Sequence, residues 1–289
     1  RPRFAGCAMV QRKKIWLSNC RSSNKRIRHQ IWGRSEYSGA GKQDSMTYCV
    51  GMRLNKGLVF MSDTRTNAGV DDISQVRKMR SWHVPGERVI TLMSAGNLAT
   101  TQAVVSLLDE RTKAPEERHP SILAAPSMFA VATIVGETLR QIVMRHNDEG
   151  PAAESLFRAS LIVGGQIKGA EPRLFLVYPE GNFIEAGEDN PFFQIGETKY
   201  GRPIIVRSYD PAMSFEDAVK LLMVSFDSTV KANLSVGLPL DLLVLERDCF
   251  EPLHQRRIEA EDPYYHAISV GWGEALRLAF ETLPDYSLG

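Results

Sequence analysis

The chain alternates between short apolar blocks and stretches where apolar residues recur at helical spacing. Thr47–Leu54 and Gly57–Met61 are apolar runs separated by Asn55-Lys56, a pattern that predicts a β-hairpin. Val89–Met93 predicts a buried strand ending at Ser94-Ala95-Gly96, after which Asn97 stands as an N-cap. The helix it opens carries Val104, Leu107 and Leu108 on one stripe, and Pro115, Pro120 and Pro126 mark the loop beyond it. From Met128 to Arg145, Met128, Val131, Val135, Leu139 and Ile142 recur at helical spacing, so two successive helices predict an antiparallel helical pair. Strands return at Ser160–Val163, at Arg173–Tyr178, at Phe183–Glu185 after the turn Pro179-Glu180-Gly181-Asn182, and at Phe192–Ile195. Ser214-Phe215-Glu216-Asp217 has the form of a capping box, with Phe215, Val219, Leu222 and Phe226 as the inward stripe of its helix. Leu240–Leu245 predicts a late strand and Tyr265–Leu283 a terminal helix. Strand–helix alternation of the βαβ kind is missing, so the order favours an α+β fold in which helices are segregated from antiparallel sheets. No repeat or linker divides residues 47–289, which read as one domain.

Charge separates the first 46 residues from the rest. The net charge of +1 conceals eleven Lys/Arg against two Asp/Glu in residues 1–46, leaving residues 47–289 at −8. An acidic body argues against nucleic acid as a partner. The basic leader admits three readings: translated upstream sequence with the true start at Met46, a propeptide that is cleaved off, or a basic tail touching nucleic acid or an acidic partner. The apolar patch Phe4–Val10 is followed, not preceded, by Gln11-Arg12-Lys13-Lys14, the reverse of a secretory signal. Cys7, Cys20, Cys49 and Cys249 show neither metal-ligand nor disulfide spacing, which suits a reducing cytoplasm. The chain has no apolar run near the roughly 20 residues that a membrane span needs. The histidines form no zinc-type cluster, and neither a Gly-x-Ser-x-Gly elbow nor a phosphate-binding Gly-x-x-x-x-Gly-Lys is present, so neither metal nor cofactor is expected.

The candidate chemistry begins at Thr47, directly after Met46. A threonine hydroxyl is a weak nucleophile, but the α-amine of the same residue can serve as its base once everything before it has been removed. With a reference pKa of about 7.7–8.0, that amine suits proton transfer near neutrality. Met followed by a small Thr is a junction that a methionine-removing aminopeptidase accepts. Lys78 would set a positive charge beside the threonine, and Asp63 would pair with Lys78 and fix it. Gly96 would offer a backbone N–H to an oxyanion, and Ser235, or Asn233 beside it, would support the amine. Each has a plain alternative: a strand threonine, a solvated lysine flanked by Arg77 and Arg80, a turn aspartate, a loop glycine and a loop serine.

These motifs follow one another in an order that resembles the proteasome β-type family of N-terminal nucleophile (Ntn) hydrolases. Thr47 opens the first strand; Ser62-Asp63-Thr64-Arg65 with Gly69, Lys78-Met79, Ala95-Gly96 before a helix, and Gly164-Gly165 before Arg173–Tyr178 then follow. Met-Thr-Tyr-Cys-Val-Gly-Met-Arg-Leu at the start and Asn-Leu-Ser-Val-Gly-Leu-Pro-Leu-Asp-Leu from Asn233 resemble the bacterial Anbu, or ancestral β-subunit, branch. The resemblance implies a four-layer αββα sandwich, two antiparallel sheets between helical layers. It also implies self-assembly into a closed or open, helically offset ring that hydrolyses peptides or smaller amides, with or without an unfoldase partner. Asn67 stands where the family holds the substrate backbone, and Glu197 stands near the nucleophile where the family often has a small serine; both are substrate-side candidates. The alternative is a ring-forming scaffold of the same fold with a silent site.

Overall fold

The computed structural model describes residues 47–67, 73–113, 119–145 and 157–288, apart from the side chains of Asn67 and Ile73. The predicted hairpin forms from β1 (Tyr48–Leu54) and β2 (Gly57–Asp63), with Cys49 opposite Ser62 and Leu54 opposite Gly57. Alternate residues of β1 point to opposite faces, and both faces are buried, which is why its sequence is almost continuously apolar. Tyr48, Val50, Met52 and Leu54 enter one core, and Cys49 enters another.

Two short strands, β3 (Arg65–Asn67) and β4 (Ile73–Gln75), pair with each other. The chain continues through β5 (Met79–Val84) and β6 (Arg88–Gly96), then α1 (Leu98–Lys113) and α2 (Met128–Met144). Next come β7 (Ala159–Ile167), β8 (Arg173–Val177), β9 (Phe183–Glu185) and β10 (Phe192–Gly196). The described residues end with α3 (Arg202–Ser208), α4 (Phe215–Ala232), β11 (Leu240–Glu246), β12 (His254–Ile258) and α5 (Pro263–Glu281). One five-stranded antiparallel sheet has the order β10-β1-β2-β11-β12; the other runs β5-β6-β7-β8-β9.

Three apolar clusters separate four layers. Cys49, Phe60, Met93, Ile162 and Leu243 fill the space between the sheets. The outer face of the β6–β8 sheet, through Ile90, Leu92 and Val163, packs on Val104, Leu108, Val131 and Leu139 of α1 and α2. The outer face of the β1–β2 sheet packs on Ile205, Phe215, Leu222 and Phe226 of α3 and α4. This is the αββα sandwich of antiparallel sheets between helices.

The caps match the sequence. Asn97 Oδ1 accepts from the Thr100 N–H at 3.0 Å, and Ser214 Oγ accepts from the Asp217 N–H at 3.0 Å. Several boundaries differ from expectation. β6 continues through Ser94-Ala95-Gly96 because these residues pair with Leu161, Ser160 and Ala159, and β7 likewise runs on through Gly164-Gly165 to Ile167. The terminal helix begins at Pro263, capped by Asp262 Oδ1 on the Tyr265 N–H at 2.9 Å.

Candidate active site

Thr47 lies at the mouth of β1, between two polar groups. The first is built on Asp63, the last residue of β2, whose side chain is fully buried. One of its oxygens, Oδ1, accepts both the Tyr48 N–H at 3.0 Å and the Lys78 ammonium at 2.8 Å. The peptide unit joining Thr47 to Tyr48 therefore shares a single carboxylate oxygen with Lys78. Lys78 Nζ also donates to the Arg65 carbonyl at 2.6 Å, and its side chain is only 6% exposed. Its backbone is fixed independently, since the Lys78 carbonyl accepts the Ser94 N–H at 3.0 Å.

Burial pushes the Asp63 carboxyl above the usual range. The Lys78 charge and hydrogen bond, with the Tyr48 and Gly237 N–H groups, pull it back. A carboxylate this deep is tolerable only because a cation is placed on it; removing either partner would leave an uncompensated buried charge.

The opposite sheet reaches the same place. Cys49 Sγ donates to the Ser94 carbonyl at 3.7 Å, bridging β1 and β6. Gly96 ends that strand two residues further on, with φ +111°, and a side chain there would collide with the Arg158 carbonyl oxygen. Gly96 thus holds a bend that leads directly into the Asn97 cap of α1.

The second polar group lies on the other side of Thr47. Its carbonyl accepts the Glu197 N–H at 2.7 Å, just past the pairing of Tyr48 with Gly196. Gly196 has φ +86°, and a Cβ on it would overlap the Thr47 carbonyl oxygen, so only glycine lets β10 close on the start of β1. The Glu197 side chain is 10% exposed, and its Oε2 accepts from Asn233 Nδ2 at 3.0 Å. Asn233 Oδ1 accepts both the backbone N–H of Ser235, at 3.0 Å, and its hydroxyl, at 2.5 Å.

The structure therefore brings Asp63 and Lys78 together at the peptide unit that joins Thr47 to Tyr48, and links Ser235 through Asn233 to Glu197, whose N–H holds the Thr47 carbonyl. Gly96 ends a strand that is bound to both β1 and Lys78. Asn67 closes the β3–β4 pair with its backbone, and its side chain lies outside the described residues, as does Gly69. Sequence reading missed the role of Arg65, whose carbonyl receives Lys78 and whose guanidinium donates to the Leu234 carbonyl at 2.7 Å. It considered Asn233 only as a substitute for Ser235, whereas Asn233 is the hub that joins Ser235 to Glu197. Among the described residues no group of three or more His, Cys, Asp and Glu side chains is placed to hold a metal ion. No described helix is long and apolar enough to cross a membrane.

Comparison with known proteins identifies the family. Residues 45–240 match the proteasome subunit family. Proteasome subunit beta of Methanopyrus kandleri is 26% identical over 204 residues, 70% of this chain and 88% of that protein. Proteasome subunit beta 2 of Pyrobaculum calidifontis is 28% identical over 203 residues, 69% of this chain and 88% of that protein. Among solved structures, Anbu (ancestral beta-subunit) from Yersinia bercovieri is 48% identical with a TM-score of 0.78, covering 84% of this chain and 100% of its own. The helical assembly of the Anbu complex from Pseudomonas aeruginosa is 44% identical with a TM-score of 0.77, covering 84% of this chain and 99% of its own. The chain belongs to the proteasome subunit family, as a β-type member on its Anbu, or ancestral β-subunit, side.

Proposed function

We propose that this chain is a threonine-type Ntn hydrolase that cleaves peptide or other amide bonds within a self-assembled, proteasome-like ring or open helical ring. The observation that carries the reading is the one buried oxygen of Asp63 that holds both the Tyr48 N–H and the Lys78 ammonium, next to Thr47. In the active chain everything before Thr47 has been removed. Thr47 Oγ then attacks the substrate carbonyl carbon while its own α-amine takes the hydroxyl proton. The Lys78 charge favours the developing alkoxide, Asp63 holds Lys78 in place, and the Gly96 N–H receives the oxyanion. The tetrahedral species collapses to an ester on Thr47, and the leaving amine departs with the proton held by the α-ammonium. Water, deprotonated by the same α-amine, attacks the ester and frees both acid and enzyme. Ser235 steers the amine from the side of the Asn233 hub.

Assembly follows from the likeness to the helical Anbu complex of Pseudomonas aeruginosa, and the compartment is the cytoplasm. Thr47→Ala is expected to abolish turnover of a fluorogenic peptide or amide substrate while leaving the assembly mass by light scattering unchanged. Turnover that survives this change would exclude Thr47 as the nucleophile, and an assembled wild-type protein without turnover would leave the scaffold reading.

A further inference from the structure

Glu197 stands beside the start of β1. It follows the glycine that lets β10 close on Thr47, its own N–H holds the Thr47 carbonyl at 2.7 Å, and its carboxylate is turned into the protein with a 10% exposed side chain. Asn233 fixes that carboxylate through a bond whose polarity is set by its surroundings. Because Asn233 Oδ1 already takes two donors from Ser235, at 3.0 and 2.5 Å, its Nδ2 is the end left to face Glu197 Oε2, at 3.0 Å. Asn233 is itself anchored as the last residue of the α4 cap, its N–H on the Thr229 carbonyl at 2.9 Å.

The charged groups around the start of β1 are mostly paired off. Asp63 and Lys78 neutralise each other across 2.8 Å. Asp241, which also acts on Cys49, is paired with Arg257 at 2.8 Å. Lys199 lies 3.8 Å from Glu197 but is 74% exposed and therefore screened by solvent. The Cys49 thiol stays neutral, its pKa raised by burial. With Asp63 paired to Lys78, Glu197 is the carboxylate whose own residue is bonded to Thr47 where an α-ammonium has to form.

We propose that Glu197 is the positioning residue for the α-amine of Thr47: its carboxylate, locked by Asn233 and Ser235, is the counter-charge of the α-ammonium that forms each time the amine accepts the Oγ proton. The proposal rests on the reading of Thr47 as a freed N-terminal nucleophile. Glu197 forms no bond with substrate in this scheme. It strengthens the base and aims it, so its loss weakens kcat more than KM.

Glu197→Gln isolates the charge. A glutamine carbonyl still accepts from Asn233 Nδ2, so the hydrogen bond and the strand closure persist while the negative charge disappears. Two readouts follow on the mature protein. The first is the pH dependence of kcat; the second is the pH dependence of acylation of the Thr47 α-amine by a small anhydride, located by peptide mass spectrometry, which requires no turnover. In Glu197→Gln both midpoints are expected to move to lower pH by about half a unit or more, as loss of a nearby opposite charge disfavours an ammonium. In the double variant Glu197→Gln/Asn233→Asp the amide and carboxylate exchange places, and both midpoints are expected to return toward wild type. Midpoints unchanged in Glu197→Gln would overturn the positioning role while leaving Thr47 as the nucleophile. A labelled α-amine that titrates as expected in a protein without turnover would support the positioning role and defeat the hydrolase reading. Absence of any α-amine at Thr47 would overturn both.

Discussion

At the scale of single residues, Asp63 and Lys78 set the terms. Each is a costly group to bury, and each is buried because the other is there. Lys78→Met keeps the length of the stem but strips Asp63 of its cation, and is expected to lower stability by about 3–5 kcal/mol in urea denaturation. Lys78→Met combined with Asp63→Leu is expected to recover most of that loss. A single variant as stable as wild type would mean that the pair is not buried in solution. The pair was legible in the sequence because both residues fall, in order, within motifs of a known family. Asn233 was legible only as a neighbour of Ser235. Its importance comes from what its amide meets, a carboxylate from β10 on one side and the Ser235 donors on the other. That meeting is made by the turn that follows α4, and spacing along the chain carries no trace of it.

At the scale of elements, the strands with apolar runs were readable and the polar edges were not. β12 is His254-Gln-Arg-Arg-Ile258, an edge strand with most of its residues exposed, and β5 is the mixed edge Met79-Arg-Ser-Trp-His-Val84. Neither shows an apolar alternation, because an edge strand is stabilised by pairing with one neighbour and by what lies over it. The β3–β4 pair is too short to show a period, and α3, Arg202-Pro-Ile-Ile-Val-Arg-Ser208, carries a β-branched run that argues for strand until packing of Ile205 decides otherwise.

β1 itself makes a testable demand on pH. Tyr48 and Cys49 are fully buried, and burial raises the pKa of both above their ordinary values of 10.0 and 9.0. Tyr265 on α5 is raised in the same way. A folded pKa above the unfolded one means that the folded state holds its proton longer. The associated stability is complete below pH 9 and is lost as pH rises from there toward the folded values, by about 1.4 kcal/mol per pH unit for each group that has begun to ionise in the unfolded chain. Urea midpoints should therefore fall steadily between pH 9 and pH 11, and Cys49→Ser should flatten the earliest part of that fall. A midpoint independent of pH over this range would contradict the burial of these groups.

At the scale of the whole molecule, the four layers exist to bring two sheet ends together. The core between the sheets aligns the start of β1 with the end of β6, and the helices seal the outer faces. The sequence carried the elements and the α+β class in its periods, continuous apolar runs for the doubly covered strands and helical stripes for the covers, while the layer order came from the family resemblance. It carried less about how the ends of the layers meet, since that depends on Gly196, Arg65 and the turn at Asn233. The central claim concerns the nitrogen of Thr47. Intact-mass and N-terminal analysis of the protein isolated from its native host tests it most directly. The account predicts a chain whose first residue is Thr47; a protein that keeps residues 1–46 attached and still hydrolyses amides would contradict it.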